Sequence, residues 1–443
     1  MSISNLKYDQ STLPNNSNKL EPNDRAIHDW YRFVLSFPPH LVRHYIDRFE
    51  LTDGDTLLDP FCGTGTTLVE AKKNGISSIG IEANPMAHFA SKVKINWDIN
   101  ARPLQEHAYT IAEKVKHDLA NQNMRDDVLP EECLFEIGHD TNRDLYSLTQ
   151  EEEKLILKNS ISPIPLHKSL LLLRAIQSSP KNDFVAHELI AFVKMLVESA
   201  SNLHFGPEVG VRKAKKDALV APSWLNNVNN ISKDLEAYAG SKAVLSDVIL
   251  SDSRHIGKHL DKESIKAVFT SPPYPNEKDY SRTTRLESVM LGFIKNKQEL
   301  REMKKTFIRS NTRGVYKEDK DDQWIKNFTI INEIAAIIEK RRIEQGKTSG
   351  FEKLYSRVTK LYFGGMAKHL AELRVFLKKG AYLGYVVGDQ ASYLRVFIPT
   401  GQILAEIAES LGYEVVSIDL FRTRFASATK MNMREEVLVL RWP

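Results

Sequence analysis

The chain has almost no cysteine. Only Cys62 and Cys133 occur among its 443 residues, which excludes a disulfide framework and a four-cysteine metal site. Long apolar runs are missing too: there is no run of the roughly 18 apolar residues that a membrane-spanning helix needs. The opening MSISNLKYDQSTLPNNSNKL is polar and lacks the apolar centre of a secretory signal. Internal repeats and long low-complexity tracts are absent. One-sided charge is absent as well, the formal balance being +4, so a polyanionic partner has to be sought in local clusters of cations. A metal-free cytoplasmic protein without membrane segments is the expectation. An apolar share of 42% with 27% charged residues is ordinary for a globular chain, and the length calls for two or three domains.

Against this background, Thr270-Ser271-Pro272-Pro273-Tyr274 stands out. It follows the apolar run 265–269, which reads as a short buried strand. Two prolines stiffen the loop and remove amide donors, leaving carbonyl oxygens free to accept hydrogen bonds. Such a loop can hold an amino group while Tyr274 offers a flat face to a ring; equally, it can be a rigid turn with a packing tyrosine.

A second stretch decides between these. Leu57-Leu58-Asp59-Pro60-Phe61-Cys62-Gly63-Thr64-Gly65-Thr66-Thr67 reads as a strand, a glycine-bearing loop and the start of a helix. After Gly75 comes a second strand, 78–81, ending at Glu82. This is a strand-loop-helix-strand-acid unit of the kind that holds a nucleoside, the glycines admitting the ligand and the acid taking ribose hydroxyls. Leu68 stands where a dinucleotide site has its third glycine, and Asp59 would repel a pyrophosphate but suit a cationic ligand.

The two stretches resemble motifs I and IV of the DNA methyltransferases that modify the exocyclic amino groups of cytosine (N4) or adenine (N6). Phe37-Pro38-Pro39-His40-Leu41 is similar to motif X of that family, Ser251-Asp252-Ser253-Arg254 to its motif III, and 382–389 to a late strand of its catalytic domain. The resemblance implies a Rossmann-like α/β fold, a mostly parallel sheet with an antiparallel C-terminal hairpin, plus a largely helical insertion. It implies S-adenosylmethionine as cofactor, held by Phe37, Pro38, Asp59, Phe61, Cys62, Gly63, Thr64, Gly65, Thr66, Glu82, Ala83, Asp252, Ser253 and Ser271. Within that set Asp59 or the main chain of 61–65 would hold the methionine part, Glu82 the ribose and Asp252 the adenine amino group. Ser271, Pro272, Pro273 and Tyr274 would be catalytic, the serine and the Pro272 carbonyl accepting the target N–H bonds. Adenine-modifying relatives more often carry a carboxylate or amide at the serine position, which turns the reading toward cytosine N4. Adenine N6, an RNA enzyme acting on guanine N2 and a catalytically idle recognition subunit stay open as alternatives.

The expected organisation is a mobile arm at 1–20, a catalytic domain at 21–96 and 245–443 with a charged helical insertion at 295–360, and a helical target-recognition insertion at 97–244. Segments 27–33, 41–49, 108–119, 169–178, 185–203 and 361–377 read as helices, the last ending at Lys378-Lys379-Gly380. Arg212, Lys213, Lys215 and Lys216 behind a Gly/Pro loop suit phosphate contacts, as do Arg282 and Arg285. Arg309 and Arg313, in a stretch that reads as an exposed polar loop, complete the expected DNA-binding set. The implied partners are double-stranded DNA and a cognate restriction endonuclease.

Overall fold

The computed structural model describes residues 13, 17–33, 36–127, 144–179, 183–206, 208–241, 244–276, 278–426 and 430–443. From the amino end, α1 (Pro39–Arg48) precedes β1 (Thr56–Asp59), α2 (Thr66–Lys73), β2 (Ser77–Glu82) and α3 (Pro85–Lys94). An insertion follows: α4 (Ala101–Ala120), the single turn α5 (Gln150–Glu153), α6 (Pro163–Ser178), α7 (Val185–Met195), a hairpin of β3 (Leu203–Phe205) and β4 (Val209–Val211), and α8 (Ala221–Ala237). The chain re-enters the sheet with β5 (Ser246–Leu250) and β6 (Ile265–Thr270), then forms α9 (Arg285–Met290), α10 (Lys297–Lys305), α11 (Thr329–Glu344) and α12 (Tyr355–Leu373). It closes with β7 (Leu377–Gly388), α13 (Thr400–Ser410), β8 (Glu414–Ala426) and β9 (Met431–Arg441).

Seven strands form one sheet in the order β5-β2-β1-β6-β7-β9-β8. β9 runs against both neighbours and the rest are parallel, so the fold is the Rossmann-like methyltransferase arrangement. The central strands β1 and β6 are short apolar runs buried on both faces, as parallel strands covered by helices must be. Leu41, Val42, Tyr45 and Ile46 of α1 pack on one face with Phe269 and Val439. α11, α12 and α13 cover the other face through Tyr362, Phe363, Met366 and Leu404. The chain leaves β1 toward β2 and β5, then returns to β6 on β1's other side. That reversal leaves a crevice beyond the carboxyl ends of β1 and β6, where α/β sheets bind ligands.

The inserted helices α4, α6, α7 and α8 share one continuous apolar core with α2, α3 and α9. Trp224 of α8 is fully buried and donates Nε1 to the Glu188 carbonyl at 2.9 Å. The insertion is largely helical, as expected, with residues 203–211 forming the β3–β4 hairpin where the helix expected over 185–203 ends.

Other expectations are corrected. Segment 27–33 is not a helix: a short 3₁₀ turn spans His28–Trp30 and Ile27 has φ 69°, its amide and the Trp30 indole being held by Asp234 at 2.8 Å each. α12 stops at Leu373, and Lys378 and Lys379 already belong to β7; the apolar alternation of the strand overrides the cationic end signal. Most of 1–20 lies outside the described residues, but Leu13 is not free: it is 6% exposed and its amide donates to the Leu420 carbonyl at 3.0 Å. Among the described residues no helix is long and apolar enough to cross a membrane.

His369 of α12 ties this frame to the crevice, its ring meeting the Ser253 carbonyl and the Tyr385 hydroxyl at 2.9 Å each. Burial lowers its pKa to about 4. The folded chain therefore keeps His369 neutral, while an unfolded histidine takes up a proton below about 6.5. Its contribution to stability is full above that range and is lost as pH falls toward 4. The stability difference between wild type and His369→Gln, measured by urea unfolding, should accordingly shrink by about 2 kcal/mol between pH 7 and pH 5. A difference that does not change with pH contradicts this.

Candidate active site

The loop after β1 is shaped by two glycines. Gly63 has φ 53°, and the space where a side chain would stand is open. Gly65 has φ 82°, and a Cβ there would lie 2.9 Å from Ser91 Cβ of α3. The Gly63 amide donates to Glu82 Oε2 at 2.8 Å and the Asn84 amide to Oε1 at 2.7 Å, so the acid at the end of β2 is aimed by main-chain donors. Burial pushes the Glu82 pKa up to about 7 despite those bonds. Beneath the loop, Lys94 is buried and donates to the carbonyls of Thr64 (2.9 Å) and Tyr31 (3.3 Å). Burial lowers its pKa to about 7, with Arg32 and Lys73 adding to the effect.

The ends of β1 and β6 are joined directly: Thr270 Oγ1 donates to Asp59 Oδ1 at 2.6 Å, and the Phe61 amide meets the same oxygen at 3.1 Å. Asp59 is fully buried, and burial raises its pKa to about 6. One step further, Ser271 Oγ donates to the Val386 carbonyl at 3.2 Å. The Tyr274 amide donates to the Tyr280 hydroxyl at 3.1 Å. Tyr274's own phenol is pushed upward by burial, with Glu435 adding to the shift.

A cavity of about 820 Å³ opens above both loops. Phe37, Phe61, Cys62, Gly63, Thr64, Thr66, Glu82, Ala83, Ser253, Ser271, Pro272, Pro273, Tyr274 and Arg282 line it. The fold thus gathers residues from five separate stretches of sequence around one space. Pro38 instead caps α1, and Gly65 lies under the loop against α3. Asp59 supports the loops from below. Asp252 is turned away: its carboxylate is gripped by Arg254 through Nε and Nη2, at 2.7 Å to the latter.

The expected DNA-binding cations divide. Arg212, Lys213 and Lys216 are exposed just after β4. Lys215 is half-buried, its amide on Asn202 Oδ1 at 2.9 Å and its ammonium on the Ser199 carbonyl. Arg285 is spent internally, on the Ser281 carbonyl and hydroxyl and, at 3.1 Å, the Leu155 carbonyl. Arg309 is 4% exposed and paired with Asp319 at 2.8 Å. The 309–314 stretch is therefore no exposed loop: its polar side chains turn inward to satisfy local carbonyls and carboxylates. Arg313 alone of that stretch faces solvent, over the Phe351 ring.

The cavity also contains groups with no motif to announce them. Glu287 of α9 is 1% exposed; its Oε1 accepts the Tyr31 hydroxyl at 2.6 Å, while Oε2 has no hydrogen-bond partner. Burial raises its pKa to about 7. Arg32 lines the same cavity, with no carboxylate of the described residues within ion-pairing distance and one 3.4 Å bond to the Ser36 carbonyl. A carboxylate within the apolar run Leu286 to Met290 was the one sequence signal for Glu287. Lys278, Arg422 and Arg424 stand at the same cavity. Among the described residues no cluster of His, Cys, Asp or Glu is placed to hold a metal ion.

Comparison with known proteins finds relatives over most of the chain. Residues 5–92 match the model of a family described as DNA methylase. The chain is similar to the Type II methyltransferase M.BsoBI of Geobacillus stearothermophilus, 26% identical over 436 residues, covering 92% of this chain and 82% of that protein. It is similar also to the Type II methyltransferase M.AvaI of Nostoc, 24% identical over 424 residues, covering 91% and 81%. A shorter match, 37% over 71 residues, joins it to M.MjaII of Methanocaldococcus jannaschii.

Gly65→Ala should test the loop. A side chain at that positive φ and against Ser91 should cost about 1–3 kcal/mol, read as a lowered urea midpoint, and unchanged stability would remove the case for this loop geometry.

Proposed function

Because the chain belongs to the DNA methyltransferases that act on exocyclic amino groups, we propose that it methylates cytosine N4 in duplex DNA, on a base turned out of the helix. The observation that carries this reading is the single cavity shared by the Gly63 loop, Glu82 and the Ser271–Tyr274 loop. When bound, S-adenosylmethionine supplies a methyl group on a positively charged sulfur, open to direct attack.

The residues present fit that cofactor. Glu82 would take the two ribose hydroxyls, its carboxylate keeping lone pairs beyond those used by the Gly63 and Asn84 amides. The free Oε2 of Glu287 suits an ammonium, and Arg32 a carboxylate, so the two offer opposite charges to an amino-acid end. Asp59 would act indirectly, by holding the β1 and β6 loops together through Thr270.

On the other side of the site, an exocyclic amino nitrogen is a weak nucleophile because its lone pair is delocalised into the ring. The Ser271 hydroxyl spends its proton on Val386, so its oxygen can accept one N–H of the base, while the Pro272 carbonyl accepts the other. Both bonds draw the nitrogen toward tetrahedral geometry and free its lone pair; the Tyr274 ring would stack on the base. Positioning of nitrogen and methyl carbon supplies most of the rate. For the duplex itself, exposed Arg212, Lys213 and Lys216 of the insertion and Arg282 at the cavity would meet phosphates.

Three measurements test this. Nucleoside analysis of DNA from cells expressing the chain should show N4-methylcytosine; N6-methyladenine alone overturns the base, and no methylated nucleoside overturns the reaction. Ser271→Ala should leave S-adenosylmethionine affinity intact while lowering kcat, since the contact matters most in the transition state. Calorimetric affinity for S-adenosylmethionine should fall as pH drops below about 7, where Glu82 and Glu287 take up protons. Glu82→Gln should remove part of that dependence and weaken binding by about 1.5–3 kcal/mol per lost bond; unchanged affinity would sink the role of Glu82.

A further inference from the structure

Past Gly388 the sheet loses β7, but β8 and β9 continue. Gly388 pairs with Glu435, and the Asp389 amide still donates to the Arg434 carbonyl at 2.8 Å. Beyond them the ladder pairs Arg424 with Met433, Phe425 with Asn432 and Ala426 with Met431, and among the described residues none of these has a third strand beside it. At about 3.3 Å per residue, this ribbon stands roughly 10 Å clear of the sheet. Since β7 runs parallel to β6, the ribbon projects from the edge at which the Ser271–Tyr274 loop begins.

The ribbon's two faces differ. Arg422 and Arg424 line the cavity. The alternate face presents Phe425, 65% exposed, with exposed Asn432 directly across the ladder. Over residues 421–426 and 430–436 Arg422 pairs with Glu435 and Arg434 with Glu436, which leaves Arg424 and Lys430 as the exposed cations of the ribbon. Cations alone could guard a strand edge against pairing with another chain. A large aromatic ring left in water at the tip of such a ribbon works against that purpose.

We propose that the β8–β9 ribbon enters the major groove of duplex DNA beside the extruded base, a groove wide enough for two strands. Arg424 and Lys430 meet backbone phosphates, the Asn432 amide reads a base edge, and Phe425 lies against the apolar groove face. The inference rests on the DNA reading above and adds a recognition element outside the insertion.

The test uses the full chain. Sequencing that resolves methylated bases in DNA from expressing cells defines the target site. Fluorescence anisotropy then compares a duplex carrying that site with a scrambled duplex, over a range of salt. Phe425→Ala/Asn432→Ala should reduce the preference for the target duplex by about tenfold or more. Arg424→Gln/Lys430→Gln should weaken both duplexes alike and lower the log–log salt slope by about 0.9 per lost contact. Binding of S-adenosylhomocysteine by calorimetry should stay at the wild-type level in both variants, which excludes misfolding as the cause. Wild-type site preference and salt slope in the variants overturn the ribbon's role while leaving the methyltransferase reading intact. A wild-type chain that binds neither duplex overturns both.

Discussion

The hydrogen bond from Thr270 to Asp59, 2.6 Å long and wholly buried, is the contact on which the site depends. It joins the last residues of β1 and β6, which are 211 positions apart in sequence and become neighbours because the chain reverses its direction of travel across the sheet at β1. Each strand ends in a loop, one shaped by glycines for close approach and the other stiffened by prolines. A buried carboxylate whose pKa is raised to about 6 by desolvation is a costly way to join two strands, and leaving it without the threonine partner would cost more. The bond keeps the Gly63 loop and the Ser271–Tyr274 loop at one fixed separation, as the proposed in-line transfer between two bound molecules would require.

Around that junction the crevice collects ionisable groups held near neutrality by burial. Glu82 and Glu287 are raised to about 7, and Lys94 is lowered to about 7. Lys94 has a structural task, fastening the Tyr31 segment to the loop at Thr64. Glu82 and Glu287 face the cavity, and a cationic ligand there would restore to them the charge that burial suppresses. Binding of such a ligand would therefore release protons.

The side proposed to face DNA is built differently. Arg309 is buried and spent on Asp319, and the half-buried Arg285 is spent on the Leu155 carbonyl of the insertion. The exposed cations sit on projecting ribbons instead: Arg212 and Lys213 follow β4, and Arg424 and Lys430 bracket the tip of β8–β9. Short antiparallel ribbons carry side chains outward on two faces without needing a core of their own, so a compact sheet can reach a duplex.

Much of the architecture was legible in the sequence, for reasons tied to local chemistry. The strands at 57–59, 78–81 and 265–269 announced themselves as short apolar runs ended by Asp59, Glu82 and Ser271, and glycine and proline chemistry shaped the loops without reference to the rest of the chain. Helices 41–49, 108–119 and 169–178 were readable because their apolar spacing reflects one buried face. What could not be read was where a polar side chain would find its partner. Arg309 and Arg313 are equivalent in sequence, yet one is closed on Asp319 and the other faces solvent. Asp252 was consumed by its neighbour Arg254, and Glu287 gained its place only because α9 packs beside Tyr31. Such choices turn on how side chains meet in the packed chain, across separations of 2, 10 and 256 positions in these cases. Composition and periodicity determine which face of an element is buried; only the packed structure decides which charge is left free to meet a ligand.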